Sequence, residues 1–226
     1  MSISGTAEDD VRRIITHYFL VSGEAITGVE QGRAALIVSA GARSWTARVI
    51  ERGRNFQRSA GYTLYRITPE LVSDPPTGGD GFAVLPGGHT FHLNDQAGFQ
   101  AFYASARTLL QPLELACLLA WYQSPTSAGE AVIAETAELD GLLTPAQVAA
   151  LPHLTSLLID RQADGGLVLL FCTYSVSAEP PDYLYRVDLY RWRVEADASG
   201  ELTWVSWPLA RRLDSPRYTP GKAGPS

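Results

Sequence analysis

Between residues 182 and 212 apolar and polar side chains alternate as they do in a β-strand with one buried face, but the apolar set changes sides midway. The run 183–195 and the run 201–209 read as two strands, and Asp197, Ala198, Ser199 and Gly200 supply turn chemistry between them. Pairing them symmetrically about that turn sets Trp192 opposite Trp204, Val194 opposite Leu202, Leu189 opposite Trp207 and Val187 opposite Leu209. The first two pairs occupy one face and the last two the other, with the switch near Tyr190 and Ser206. Such a ribbon buries one face at its root. At its tip it needs a cover on the other face, either from its own chain or from a partner.

The rest of the pattern alternates helices and strands. Val11, Ile14, Ile15, Tyr18 and Phe19 form one apolar stripe on a predicted helix over 7–20, whose acidic start, Glu8 to Asp10, suits the positive end of the helix dipole. A strand over 34–38 turns at Gly41-Ala42 into a second strand, with Trp45 facing Val38 and Ala47 facing Leu36. A third strand covers 61–68. The turn formers Pro75, Pro76, Gly78, Gly79, Gly81, Pro86, Gly87 and Gly88 break the pattern over 72–93. Two helices follow, one starting near Asn94 or Asp95 and one at Pro112, the second apolar nearly all round and therefore buried. A strand over 130–135 and a helix over 144–151 come next, the helix opened by the capping box Thr144–Gln147 and ended by Pro152. Four strands, at 154–160, 167–176, 183–195 and 202–209, then read as an antiparallel meander with a hairpin turn at Asp164-Gly165-Gly166. Leu167 to Phe171 are apolar without interruption, so both sheet faces need cover there.

The expected fold class is α+β: an antiparallel β-meander in the C-terminal half and an N-terminal three-stranded unit, packed with three to four helices. The expected organisation is a single domain over 1–212, or two lobes, 1–72 and 94–212, joined by the Gly/Pro-rich loop 73–93, with a tail over 213–226.

Composition narrows the class of function. The 226 residues are 46% hydrophobic with a formal net charge of -6, which suits a folded, soluble chain and argues against a whole-surface nucleic-acid binder. Lys222 is the only lysine, a bias that fits a GC-rich bacterial genome. The start lacks the pattern of a signal peptide, and no apolar run has the length of a membrane span. Cys117 and Cys172 each lie inside an apolar run and read as buried free thiols, so the expected location is the cytoplasm.

Chemistry is sparse. His89 and His92, near Asp80 and Asp95, are the strongest metal-binding pattern, but no third ligand follows at a fixed spacing. The glycines of the same loop lack the residues that complete a phosphate-binding motif. Cys117 sits among leucines, the wrong setting for a thiolate. Glu135, Glu138 and Asp140 are carboxylates able to serve as acids or bases, but the stretch 138–141 reads as a capped turn. No catalytic residue, metal or cofactor is therefore assigned. The expected function is a non-catalytic bacterial interaction protein of adaptor, chaperone-like or immunity type, with another protein as partner, no membrane, and nucleic acid disfavoured. Its expected partner-binding residues are Trp192, Trp204, Arg191 and Arg193 at the hairpin tip and Arg52, Arg54 and Arg58 in a basic cluster with Arg48. The alternative is a small-molecule-binding or hydrolytic pocket using the His89/His92 loop with Tyr183, Tyr185 and Trp207. The basic cluster also raises nucleic-acid binding as a third reading.

Overall fold

Helix α1 (Gly5–Tyr18) packs its apolar stripe on one face of an antiparallel sheet, where Val11, Ile14 and Ile15 meet Val38, Trp45, Ile67 and Phe82. This is a computed structural model, and it describes residues 5–32, 35–50, 61–70, 79–126, 130–179 and 184–216. The chain divides into two compact units, Met1–Leu110 and Gln111–Ser226. The first unit's sheet is six-stranded in sequence order: β1 (Gly28–Gln31), β2 (Leu36–Ala40), β3 (Arg43–Val49), β4 (Thr63–Pro69), β5 (Asp80–Val84) and β6 (Thr90–His92). The β2–β3 hairpin has the predicted register, Val38 opposite Trp45 and Leu36 opposite Ala47. The three expected strands are thus extended by three more, two of them inside the stretch 73–93 read from sequence as a loop. Its turn formers are real, Gly87 and Gly88 having φ of 90° and 84°, but they close the β5–β6 hairpin.

Helix α2 (Gln96–Ala106) begins at Asp95, whose carboxylate accepts from Gly98 N at 2.7 Å. It buries Phe99, Phe102 and Ala106, with Phe102 edge-on to Tyr62 of the same unit at 5.2 Å.

The second unit opens with α3 (Pro112–Tyr122), which has proline in its first turn and Leu115 to Ala120 buried. Then come β7 (Ala131–Val132), a 3-10 turn (Thr136–Leu139) and α4 (Pro145–Ala149), the last with both halves of the Thr144–Gln147 capping box. Strands β8 (Leu158–Arg161), β9 (Leu167–Glu179), β10 (Leu184–Ala196) and β11 (Leu202–Asp214) complete an antiparallel sheet of order β11-β10-β9-β7, with β8 also pairing β9. Among the described residues the fold is α+β with two antiparallel sheets and four α-helices.

Candidate protein-docking face

The site begins with the turn between β10 and β11. Asp197 Oδ1 accepts from Ser199 Oγ, Gly200 N and Glu201 N at 2.7–2.9 Å, and Gly200 takes φ 94°. These bonds, led by the Ser199 hydroxyl, hold the Asp197 carboxyl below its ordinary pKa. They build a loop that pairs Ala196 with Leu202, its centre one residue further along than the loop centred on Ala198 that the symmetric pairing implies. Moving the turn centre by one residue shifts every pair by two. Val194 therefore faces Trp204, Trp192 faces Ser206, and Trp207 faces Arg191, which corrects the symmetric register expected from sequence. A shift of two keeps each side chain on its face, so the change of apolar side survives.

Strand β10 pairs regularly with β9 along its whole length, so its faces follow from alternation alone. Tyr190, Trp192, Val194 and Ala196 share one face with Phe171 and Leu169, and all are buried. Val187 and Leu189 point to the other face, with Arg191, Arg193 and Glu195 following toward the tip. In β11 the switch is made by irregularities: the register slips between Leu189 and Tyr190 and again between Val187 and Leu189. Arg212, at φ 57°, gives its N–H to Asp188 Oδ1 there.

Each face has its own cover over part of the ribbon. On the Trp192 face, α3 packs on β7 and β9, and Glu130 N donates to Ala120 O at 3.1 Å. The Glu130 carboxylate, 3% exposed, accepts from Trp192 Nε1 at 3.1 Å, from Ser124 Oγ at 2.6 Å and from the Thr173 hydroxyl. Trp192 Nε1 lies 3.0 Å from Thr173 Oγ1, and the indole stacks on Phe171 at 5.7 Å. On the opposite face, Ile133, Leu139 and Leu143 cover Cys172, Val187 and Leu189 at the root. That cover ends where the chain enters β8 and joins the sheet edge.

Among the described residues the tip of the second face is left open. An open groove of about 710 Å³ runs over it, floored by Leu158, Val168 and Leu170 and walled by Arg193 and Glu195. A hollow of about 260 Å³ shares those two walls and reaches Val205 of β11. Leu158 is 52% exposed, Val205 51% and Trp207 37%, while Arg191 Cζ lies 5.8 Å over the Trp207 ring.

Of the residues expected to bind a partner, Arg191 and Arg193 lie on this open face. Trp192, 0% exposed, is enclosed by its own chain, and Trp204 lies half-buried on the Trp192 face opposite Val194. Arg48 is exposed on β3 opposite Arg66, and Arg52, Arg54 and Arg58 lie outside the described residues. Trp207 and Val205 take the place at the open face that had been expected for Trp192 and Trp204. Alternation puts Val205 and Trp207 on that face in either register; what decides the outcome is which face the chain covers. Glu130 carries no sequence signal at all, being one carboxylate ahead of an apolar triplet.

The remaining candidates have structural surroundings. His92 stacks on Phe82 at 4.9 Å and meets Asp80 Oδ1 at 3.2 Å, while His89 is exposed at the hairpin turn. Among the described residues no three His, Cys, Asp or Glu side chains come together to hold a metal. Tyr185 and Trp207 belong to the second unit, His89 and His92 to the first, and Tyr183 lies outside the described residues. Glu135, Glu138 and Asp140 are exposed around the 3-10 turn. Burial, reinforced by Glu114 and Glu138, pushes the Cys117 thiol up to about 12. Cys172 is also buried. We therefore expect neither cysteine to react with a thiol reagent at pH 8 in the native protein and both to react in denaturant, measured by release of the reagent's chromophore. A native thiol reacting at the unfolded rate would contradict this burial. Among the described residues no helix is long and apolar enough to cross a membrane. No protein family, curated protein or solved structure matches the chain.

Proposed function

We propose that this is a non-catalytic interaction protein of the bacterial cytoplasm whose partner, another protein, docks on the open tip face of the second sheet. One observation carries the reading: apolar side chains at Leu158, Val205 and Trp207 stay exposed on a continuous sheet face whose root is covered and whose other side buries Trp192 and Phe171. A folded chain leaves few such patches without use. The arginine on the tryptophan ring adds the residue types that concentrate binding energy at interfaces. Two buried free cysteines and arginine in place of lysine support the location and the source. Edge pairing along β11 is a poorer mode of docking, because Pro208 and the register slips interrupt the strand.

The test uses the full chain and the double variant Leu158→Asp/Val205→Asp, with the Val21→Asp variant in the first unit as the control for an exposed apolar residue. We expect proteins retained by the wild type and by Val21→Asp to be lost from the double variant at least about tenfold, with its thermal midpoint unchanged. Equal retention on all three forms contradicts the proposal.

A further inference from the structure

We infer that the segment docking on the tip face is a basic amphipathic one, with apolar side chains along its middle and lysine or arginine on its flanks; this rests on the docking reading above. The floor of the groove is apolar, at Leu158, Val168 and Leu170. Its rim is acidic: Asp160, Asp164, Glu195 and Asp197 stand there against the single cation Arg193. Arg193 is already matched, its Nε donating to Glu195 Oε1 at 2.6 Å. Along the lining of the groove itself a partner therefore meets the field of Asp160, Asp164 and Asp197, with Arg191 standing beyond it over Trp207.

Two of these carboxylates are fixed in space by the turns they build. Asp164 Oδ1 accepts from Gly166 N at 2.9 Å, and Asp197 Oδ1 accepts from Gly200 N at 2.8 Å and Glu201 N at 2.9 Å. Asp160 accepts from the Gln162 amide at 2.7 Å. They stand at the turns flanking one end of the groove, so a segment lying on the floor brings its flanking side chains to them. The long stems of lysine and arginine cover apolar surface while their heads reach a polar rim, which is the geometry this groove presents. An acidic or neutral segment gains the same floor contacts but meets like charge, or nothing, at the rim.

The probe is a short fluorescein-labelled helical peptide with a leucine stripe flanked by lysines, titrated into the full chain by anisotropy. A second peptide carries glutamate for every lysine, and a third serine for every leucine. We expect saturable binding of the lysine–leucine peptide, at least about tenfold weaker binding of the other two, and weakening with added salt. Asp160→Lys should reduce the affinity of the first peptide about fivefold, and Leu158→Asp should abolish its binding. If the glutamate peptide binds as well and Leu158→Asp removes both, the docking face stands and the basic character of the partner is refuted. If binding is indifferent to Leu158→Asp, or no peptide saturates, the inference is overturned, and the docking reading is then decided by the retention experiment above.

Discussion

Replacing Trp192 with alanine is expected to destabilise the second unit by about 3–5 kcal/mol, the range for removing a large aromatic from a packed core. The residue is 0% exposed and stacks face to face on Phe171, so the truncation opens a cavity beside Phe171, Thr173 and Glu130. It also takes away the indole N–H, one of the donors to the buried Glu130 carboxylate. Trp192→Phe separates the two effects. Phenylalanine keeps the ring contact with Phe171 but leaves Glu130 and Thr173 without the indole donor, a loss of about 1–3 kcal/mol. Urea unfolding followed by far-UV circular dichroism checks both values, and the order alanine, then phenylalanine, then wild type in rising stability is the expected one. A loss under about 1 kcal/mol for the alanine variant would show that the ring is not enclosed as described.

Gly98→Ala should destabilise the first unit although helix propensity argues the other way. In a helix interior alanine is favoured over glycine by roughly 0.5–1 kcal/mol. At this position a Cβ would stand 2.2 Å from His92 O and 3.1 Å from His92 C, atoms of the backbone of β6. No side-chain rotation relieves a clash with main chain. Either α2 moves away from β6 or the Asp95 cap on Gly98 N opens. Overpacking of this kind costs about 1–3 kcal/mol or more, so sterics win over propensity. Ala101→Gly, on the exposed side of the same helix, carries only the propensity term of about 1 kcal/mol. Thermal unfolding of the two variants should place Gly98→Ala at or below Ala101→Gly. A Gly98→Ala protein more stable than wild type would contradict the close approach of helix and strand.

Much of this fold is legible where one local rule suffices. The stripe of α1, the Gly41-Ala42 hairpin, the Asp95 cap and the Thr144–Gln147 capping box all rest on contacts within a few residues, and all are present. The face switch in the last hairpin was readable too, because alternation within β10 does not depend on its partner. The cross-strand pairs were not, since they depend on the turn length that the Asp197 side chain sets through three hydrogen bonds. That one-residue move of the turn carries Trp207 along the same face, from opposite Leu189 at the covered root to opposite Arg191 toward the tip. Strands β5 and β6 escaped notice because glycine and proline mark turns equally in loops and in hairpins. The buried Glu130 cluster joins residues far apart in the chain, Ser124, Thr173 and Trp192, and no spacing announces it.

The docking face is tested most directly by a photo-crosslinking amino acid placed at Val205, with the same residue at Val21 as the comparison. Both positions are exposed and apolar, and of the two only Val205 lines the hollow beside the groove. Irradiation of the producing cells should yield one discrete adduct from the Val205 protein, absent when Leu158→Asp is added and absent from the Val21 protein. No adduct at Val205, or the same adducts from both positions, would contradict the assignment of the tip face as the surface where this protein meets its partner.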